Sequence, residues 1–216
     1  MKKKYIGMAW PSDGINDSEY WNYLPKKYEL LISRYPVSGS LKVEILKKES
    51  NLSNIMKCLK TMTTERLDTI ILCDFGSSVL NGQNFINKSE DYFRNKFNIP
   101  CLNIVNSTVN FIKKRKKKIS IISPYNKVIT KSFLKLIPNK DIISSTVNLS
   151  LKSEIEINTI ENFINLKNNT IFNNDLLFIG GGITISNLTN YYKNKFNIKI
   201  FSSPMLIIND AVFKIK

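Results

Sequence analysis

Short apolar runs of strand length recur along the chain, separated by stretches whose apolar residues return at helical spacing. The runs are Tyr5–Trp10, Leu41–Leu46, Thr69–Cys73, Cys101–Val105, Ile119–Ser123, Asp141–Ser145, Asp175–Ile179 and Ile198–Phe201. Between them, Leu52–Met62 sets Ile55, Met56, Leu59 and Met62 on one helical face, and Val79–Phe97, Val128–Leu136, Ile155–Leu166 and Ile185–Phe196 behave alike. Strands alternating with helices predict βαβ units and mostly parallel sheets. The segment Asn95–Ile99 recurs residue for residue as Asn194–Ile198, each copy leaving a helix for a strand. Upstream, Asp68–Gly76 echoes Asp175–Gly182. A duplication is the expected cause. The pattern therefore predicts an α/β protein of two pseudo-symmetric, Rossmann-like lobes with the active site in the cleft between them. The expected boundaries are 1–112 with 204–216 for one lobe and 113–203 for the other.

Composition narrows the chemistry. The chain of 216 residues is 43% hydrophobic and 23% charged, enough to bury a core. It contains no histidine, which removes histidine triads, dyads and metal ligands and leaves Cys, Asp, Glu, Lys or Tyr for acid–base work. Its three cysteines, Cys58, Cys73 and Cys101, show no metal-ligand spacing and no disulfide framework. No metal and no cofactor is expected. No run approaches the roughly 20 apolar residues of a membrane span, and the basic N-terminus lacks a long apolar leader. These features predict a soluble, reduced, cytoplasmic protein without membrane contact.

The net charge of +15 raises the possibility of nucleic acid. The densest basic run, Lys113–Lys118, lies where a helix should end, and cations there complement the helix dipole. The other lysines are scattered, and no nucleic-acid motif accompanies them. A solvated basic surface is the expectation, and no nucleic-acid partner.

In parallel sheets ligands bind beyond the C-terminal strand ends. Those ends carry Pro11-Ser12-Asp13-Gly14, Cys73-Asp74-Phe75-Gly76, Pro124-Tyr125 and Gly180-Gly181-Gly182. In their order and spacing these motifs resemble the aspartate/glutamate racemase superfamily, most of all its members arylmalonate decarboxylase and maleate cis-trans isomerase. The resemblance runs from Ile6 to Val212. It implies a first active-site loop from Ile71 to Gly82 and a substrate-binding tyrosine at Tyr125. A second active-site loop follows at Phe178–Thr184, then a final strand reaching Pro204. The family places a cysteine on one or both sides of its substrate. Here the second loop has glycine, and counting back from Ser78 and Gly82 puts Asp74 at the first position with Cys73 beside it. Phe75 and Gly76 replace a hydroxyl pair.

The resemblance implies a cofactor-independent lyase or isomerase acting next to a carboxylate through an enediolate. The alternatives are a racemase-like enzyme or an inactive carboxylate-binding relative. Cys73 and Asp74 are the candidate acid–base groups. A thiol at a helix N-terminus would have a lowered pKa. Asp74 could equally cap that helix. Pro11, Ser12, Asp13, Phe75, Gly76, Ser78, Tyr125, Gly180, Gly181 and Gly182 are the candidate substrate-binding residues, with bare N–H groups of the glycine loop facing an anion. Only the first loop offers an ionisable group, so one-sided chemistry is expected. The expected partner is a small carboxylate or dicarboxylate, and a homo-oligomer is compatible with the family.

Overall fold

The computed structural model describes residues 3–14, 16–39, 42–49, 51–62, 66–138, 140–148, 174–186 and 198–215. It contains two four-stranded sheets. The first is built from β1 (Lys4–Pro11), β2 (Tyr28–Tyr35), β3 (Thr69–Leu72) and β4 (Cys101–Asn103), in the order β2-β1-β3-β4. The second is built from β5 (Ile119–Ser123), β6 (Ile143–Asn148), β7 (Asp175–Phe178) and β8 (Ile200–Ser202), in the order β6-β5-β7-β8. Every pairing is parallel, and the two sheets follow one topology.

The helices are α1 (Asp17–Asn22), α2 (Val43–Glu49), α3 (Leu52–Lys60), α4 (Phe75–Phe97), α5 (Ile104–Lys113), α6 (Lys127–Lys135) and α7 (Ser203–Lys214). They cover both faces of the first sheet, which explains its nearly unbroken apolar strands. Ile6, Met8 and Ile71 join a cluster that also holds Ile121, Phe133, Leu177 and Ile207 from the second half of the chain. Ala9, Ile70 and Leu72, at the alternate positions, pack with Ile55, Leu59 and Phe93. The first cluster thus joins the two sheets through one core.

Local pattern and fold part company in three places. Leu41–Leu46 alternates like a strand, yet Val43–Glu49 is α2, with Glu44 in its first turn and Lys47 and Lys48 in its last. The strand slot beside β1 belongs to Tyr28–Tyr35, which pairs with β1 over eight residues. The fourth strand is also cut short, because Asn103 caps α5 through an acceptor bond from Val105 N. Helix α4 begins earlier than expected, at Phe75, and bends at Gly82, whose φ of 80° is non-helical. The first copy of the repeat ends α4, with Asn98 left-handed at the C-cap. The expected helix Ile155–Leu166, and residues 187–197 with most of the expected helix Ile185–Phe196 and the second copy up to Asn197, lie outside the described residues.

Candidate active site

The first loop forms where β3 runs out. Cys73 N adds one more rung by donating to Ala9 O at 3.0 Å. Asp74 then caps α4: its Oδ1 accepts from Ser77 N at 3.0 Å, and its Oδ2 accepts from the Tyr35 hydroxyl at 2.8 Å. Asp74 stays partly exposed, beside Asp13 in the β1–α1 turn. Although Asp13 lies at the surface, partial loss of water around its carboxyl raises it above its ordinary value, and the nearby Asp74 charge raises it further.

Cys73 is placed differently. Its side chain is 1% exposed and sits on the core face with Met8 and Ile71. Burial pushes its thiol well up, although a hydrogen bond with the Tyr20 hydroxyl works the other way. The expected lowered thiol pKa is corrected, because loss of water outweighs the helix terminus. Cys58 and Cys101 are buried as well, in the cluster on the α3 side of the first sheet.

The second loop continues β7. Ile179 N donates to Ile122 O at 3.0 Å, and Gly180 N donates to Ser203 Oγ at 3.2 Å. Two carbonyls of the loop are held from α1 and its entry: Tyr20 OH donates to Gly181 O at 2.8 Å, and Asn16 Nδ2 to Gly182 O at 2.5 Å. Ser186 N donates to Glu19 Oε2 at 3.2 Å, and Glu19 is fully buried. A Cβ on Gly181 would stand 2.5 Å from the Cys73 carbonyl oxygen, so the two loops touch through glycine. Gly180 has φ +132°, and a Cβ there would meet the Tyr125 hydroxyl at 3.2 Å.

Strand register makes the loops equivalent. Ala9 pairs with Leu72 and Leu72 with Asn103 in the first sheet; Ile122 pairs with Phe178 and Phe178 with Ser202 in the second. Cys73 N and Ile179 N then make matching bonds to Ala9 O and Ile122 O. Asp74 and Gly180 therefore occupy the same position in the two halves.

Tyr125 lies between these loops. Its ring stacks on Phe75, with centroids 5.7 Å apart and 7° between planes, and Phe75 in turn meets Phe133 at 5.2 Å. A Cβ on Gly76 would be 3.7 Å from Tyr125 Cε1, so glycine leaves the ring room. The Tyr125 carbonyl accepts from Asn148 Nδ2 at 2.5 Å, which ties the loop to β6.

The remaining expected residues are dispersed around this centre. Pro11–Gly14 is a turn closed by Gly14 N donating to Pro11 O at 3.1 Å, with Ser12 and Asp13 exposed. Ser12 Oγ accepts from Val37 N at 3.1 Å. Ser78 is buried, and its Oγ accepts from Asn103 Nδ2 at 3.2 Å at the end of β4. Sequence reasoning missed Tyr35, Tyr20, Asn16 and Glu19. Tyr35 was hidden because β2 was not recognised, and the other three act through contacts across the fold. No cluster of three or more His, Cys, Asp or Glu side chains suited to a metal exists among the described residues. No helix among them is long and apolar enough to cross a membrane.

No protein-family model matches the chain, and no curated protein matches it. Solved structures do. Maleate isomerase Iso from Pseudomonas putida superposes with a TM-score of 0.79 at 13% identity, covering 98% of this chain and 92% of that one. A Nocardia farcinica maleate cis-trans isomerase variant with a covalently bound succinylcysteine intermediate gives 0.77 at 11% identity, with the same coverage of 98% and 92%. Arylmalonate decarboxylase gives 0.72 at 13% identity, again covering 98% and 92%. The chain has the fold these three enzymes share.

Proposed function

We propose that this protein is a cofactor-independent lyase or isomerase that acts next to a carboxylate through an enediolate-type intermediate. The reading starts from the shared fold with maleate isomerase and arylmalonate decarboxylase. The observation that carries it is the convergence of the β3 and β7 loops on Tyr125, with Asp74 and Gly180 at equivalent positions. The lobes would be 1–112 with 204–216, and 113–203, with the cleft between them.

Asp74 is the acid–base group in this reading. It is partly exposed at the strand end, whereas Cys73 points into the core with a raised thiol pKa. The Nocardia neighbour carries a covalent cysteine adduct. In this chain Cys58, Cys73 and Cys101 are all buried, which favours a carboxylate over a thiol. The Tyr125 hydroxyl and the backbone N–H groups of Gly76, Gly181 and Gly182 would hold the carboxylate and the charge that develops on it. Pro11, Ser12 and Asp13 would form the outer wall, with Phe75 behind Tyr125 and Gly180 giving it space. Ser78 acts from behind, through Asn103. The substrate would be a small carboxylate or dicarboxylate in the cytoplasm.

The test is a panel of 2-phenylmalonate, maleate, aspartate and glutamate followed by NMR in D₂O, with wild type, Asp74→Asn and Cys73→Ala. Turnover or α-deuteration that Asp74→Asn loses by about 10²–10⁴-fold, and Cys73→Ala largely keeps, is the expected result. A second reading, an inactive carboxylate-binding relative, is favoured by the two hydrogen bonds that already occupy Asp74. It requires a raised melting temperature with these ligands and no turnover of any.

A further inference from the structure

The glycine loop leaves one face of the site without an ionisable side chain, yet that space is filled. The Cβ that Gly180 lacks would stand 3.2 Å from the Tyr125 hydroxyl and 3.4 Å from Tyr125 Cε2. The φ of +132° at Gly180 disfavours any side chain there. Gly180 is the counterpart of Asp74 by strand register. The Phe75 ring, stacked on Tyr125 at 5.7 Å, fixes the direction from which the hydroxyl arrives. Asp74 in turn accepts from the Tyr35 hydroxyl at 2.8 Å, which holds its carboxyl in place.

The geometry points to Tyr125 as the proton carrier of the second face, its phenol standing where the missing side chain of the glycine loop would be. This rests on the proposed carboxylate chemistry and replaces its one-sided form with a two-faced one. Asp74 takes the α-proton: the C–H bond breaks, its electron pair becomes the C=C bond of the enediolate, and an O–H bond forms on Asp74. Tyr125 delivers the return proton: its O–H bond breaks, a C–H bond forms from the enediolate pair on the opposite face, and a phenolate remains. Exchange with water restores both groups. No oxidant, reductant or co-reactant enters. The substrate class is a carboxylate with an acidic hydrogen on a stereogenic α-carbon.

The experiment uses single enantiomers of 2-phenylpropionate, aspartate and glutamate in D₂O, with NMR for exchange and chiral chromatography for inversion. Tyr125→Phe keeps the ring and its stack, and its melting temperature serves as the check on folding. Wild type is expected to exchange the α-hydrogen with inversion. Tyr125→Phe also loses its hydrogen bond to the carboxylate, so KM is expected to rise and exchange with retention to fall by up to about tenfold, while inversion falls by about 10²–10⁴-fold. Asp74→Asn loses both. Inversion that survives in Tyr125→Phe overturns the proposal, as does a change confined to KM or wild-type exchange with complete retention. Those outcomes leave the carboxylate chemistry standing. Wild type that exchanges or turns over none of these compounds, nor the earlier panel, removes the functional reading and this proposal with it.

Discussion

Gly180 and Gly181 are neighbours that need glycine for different reasons. At Gly181 the obstacle is backbone: a Cβ would lie 2.5 Å from the Cys73 carbonyl oxygen, and neither loop can yield without moving the other. Gly181→Ala should destabilise by about 1–3 kcal/mol, read as a lower denaturation midpoint. An unchanged midpoint would mean that the loops do not touch. At Gly180 the obstacle is conformation, since φ +132° suits residues without a Cβ.

Thiol and carboxyl groups at the first loop give two further checks. Burial raises the pKa of all three cysteines. Ellman's reagent at neutral pH should leave the native protein unlabelled and titrate all of them only after unfolding. Rapid native labelling of Cys73 would restore it as the reactive group. Asp13 is held above the ordinary Asp value, so the native state binds its proton more tightly than the unfolded chain does. Stability is therefore lost as pH rises from the unfolded value, about 3.9, through the raised native one. Asp13→Asn should raise the melting temperature around neutral pH and have little effect well below that unfolded value. A drop around neutral pH contradicts the assigned environment.

Among the elements, α1 has six residues yet does much to join the halves. It holds the glycine loop through Tyr20, Glu19 and, at its entry, Asn16. Removing the Tyr20 hydroxyl leaves a buried carbonyl without that donor, at a cost of about 1–3 kcal/mol. Helix α6 supports the other side. Asn126 caps it by accepting from both Val128 N and Ile129 N, and its Phe133 packs on Phe75 behind Tyr125. Asn126→Ala should cost about 0.5–2 kcal/mol in chemical denaturation. A neutral result would show that the cap is dispensable and that packing alone seats α6.

At the scale of the molecule, a repeated strand order and a shared core act together. The sheets repeat one strand order, and α5 and α7, which follow β4 and β8 directly, pack on each other. Thr108 Oγ1 donates to Ser203 Oγ at 3.0 Å between them, and Ser203 Oγ also accepts from Gly180 N. One apolar cluster runs through both halves. Unfolding in urea should therefore be a single transition, coincident by circular dichroism and tryptophan fluorescence. Two separated transitions would show that each sheet folds alone.

Much of this architecture is legible in the chain. Alternating strand and helix periods determine a parallel α/β class, since period is a local property. The duplicated segment foreshadows the repeated topology, and the strand-end motifs mark the loops that converge. Two decisions belong to the tertiary structure. Leu41–Leu46 and Tyr28–Tyr35 both suit a strand locally, and pairing with β1 along eight residues selects the second. Tyr35, the partner of Asp74, became visible only with that pairing. The choice between Cys73 and Asp74 is likewise non-local. Successive residues at a strand end point to opposite faces, so one position of register decides which side chain is buried. Register is set by hydrogen bonds between β3, β1 and β4, whose partners are far apart in sequence. Those bonds send Cys73 into the core and leave Asp74 at the loop.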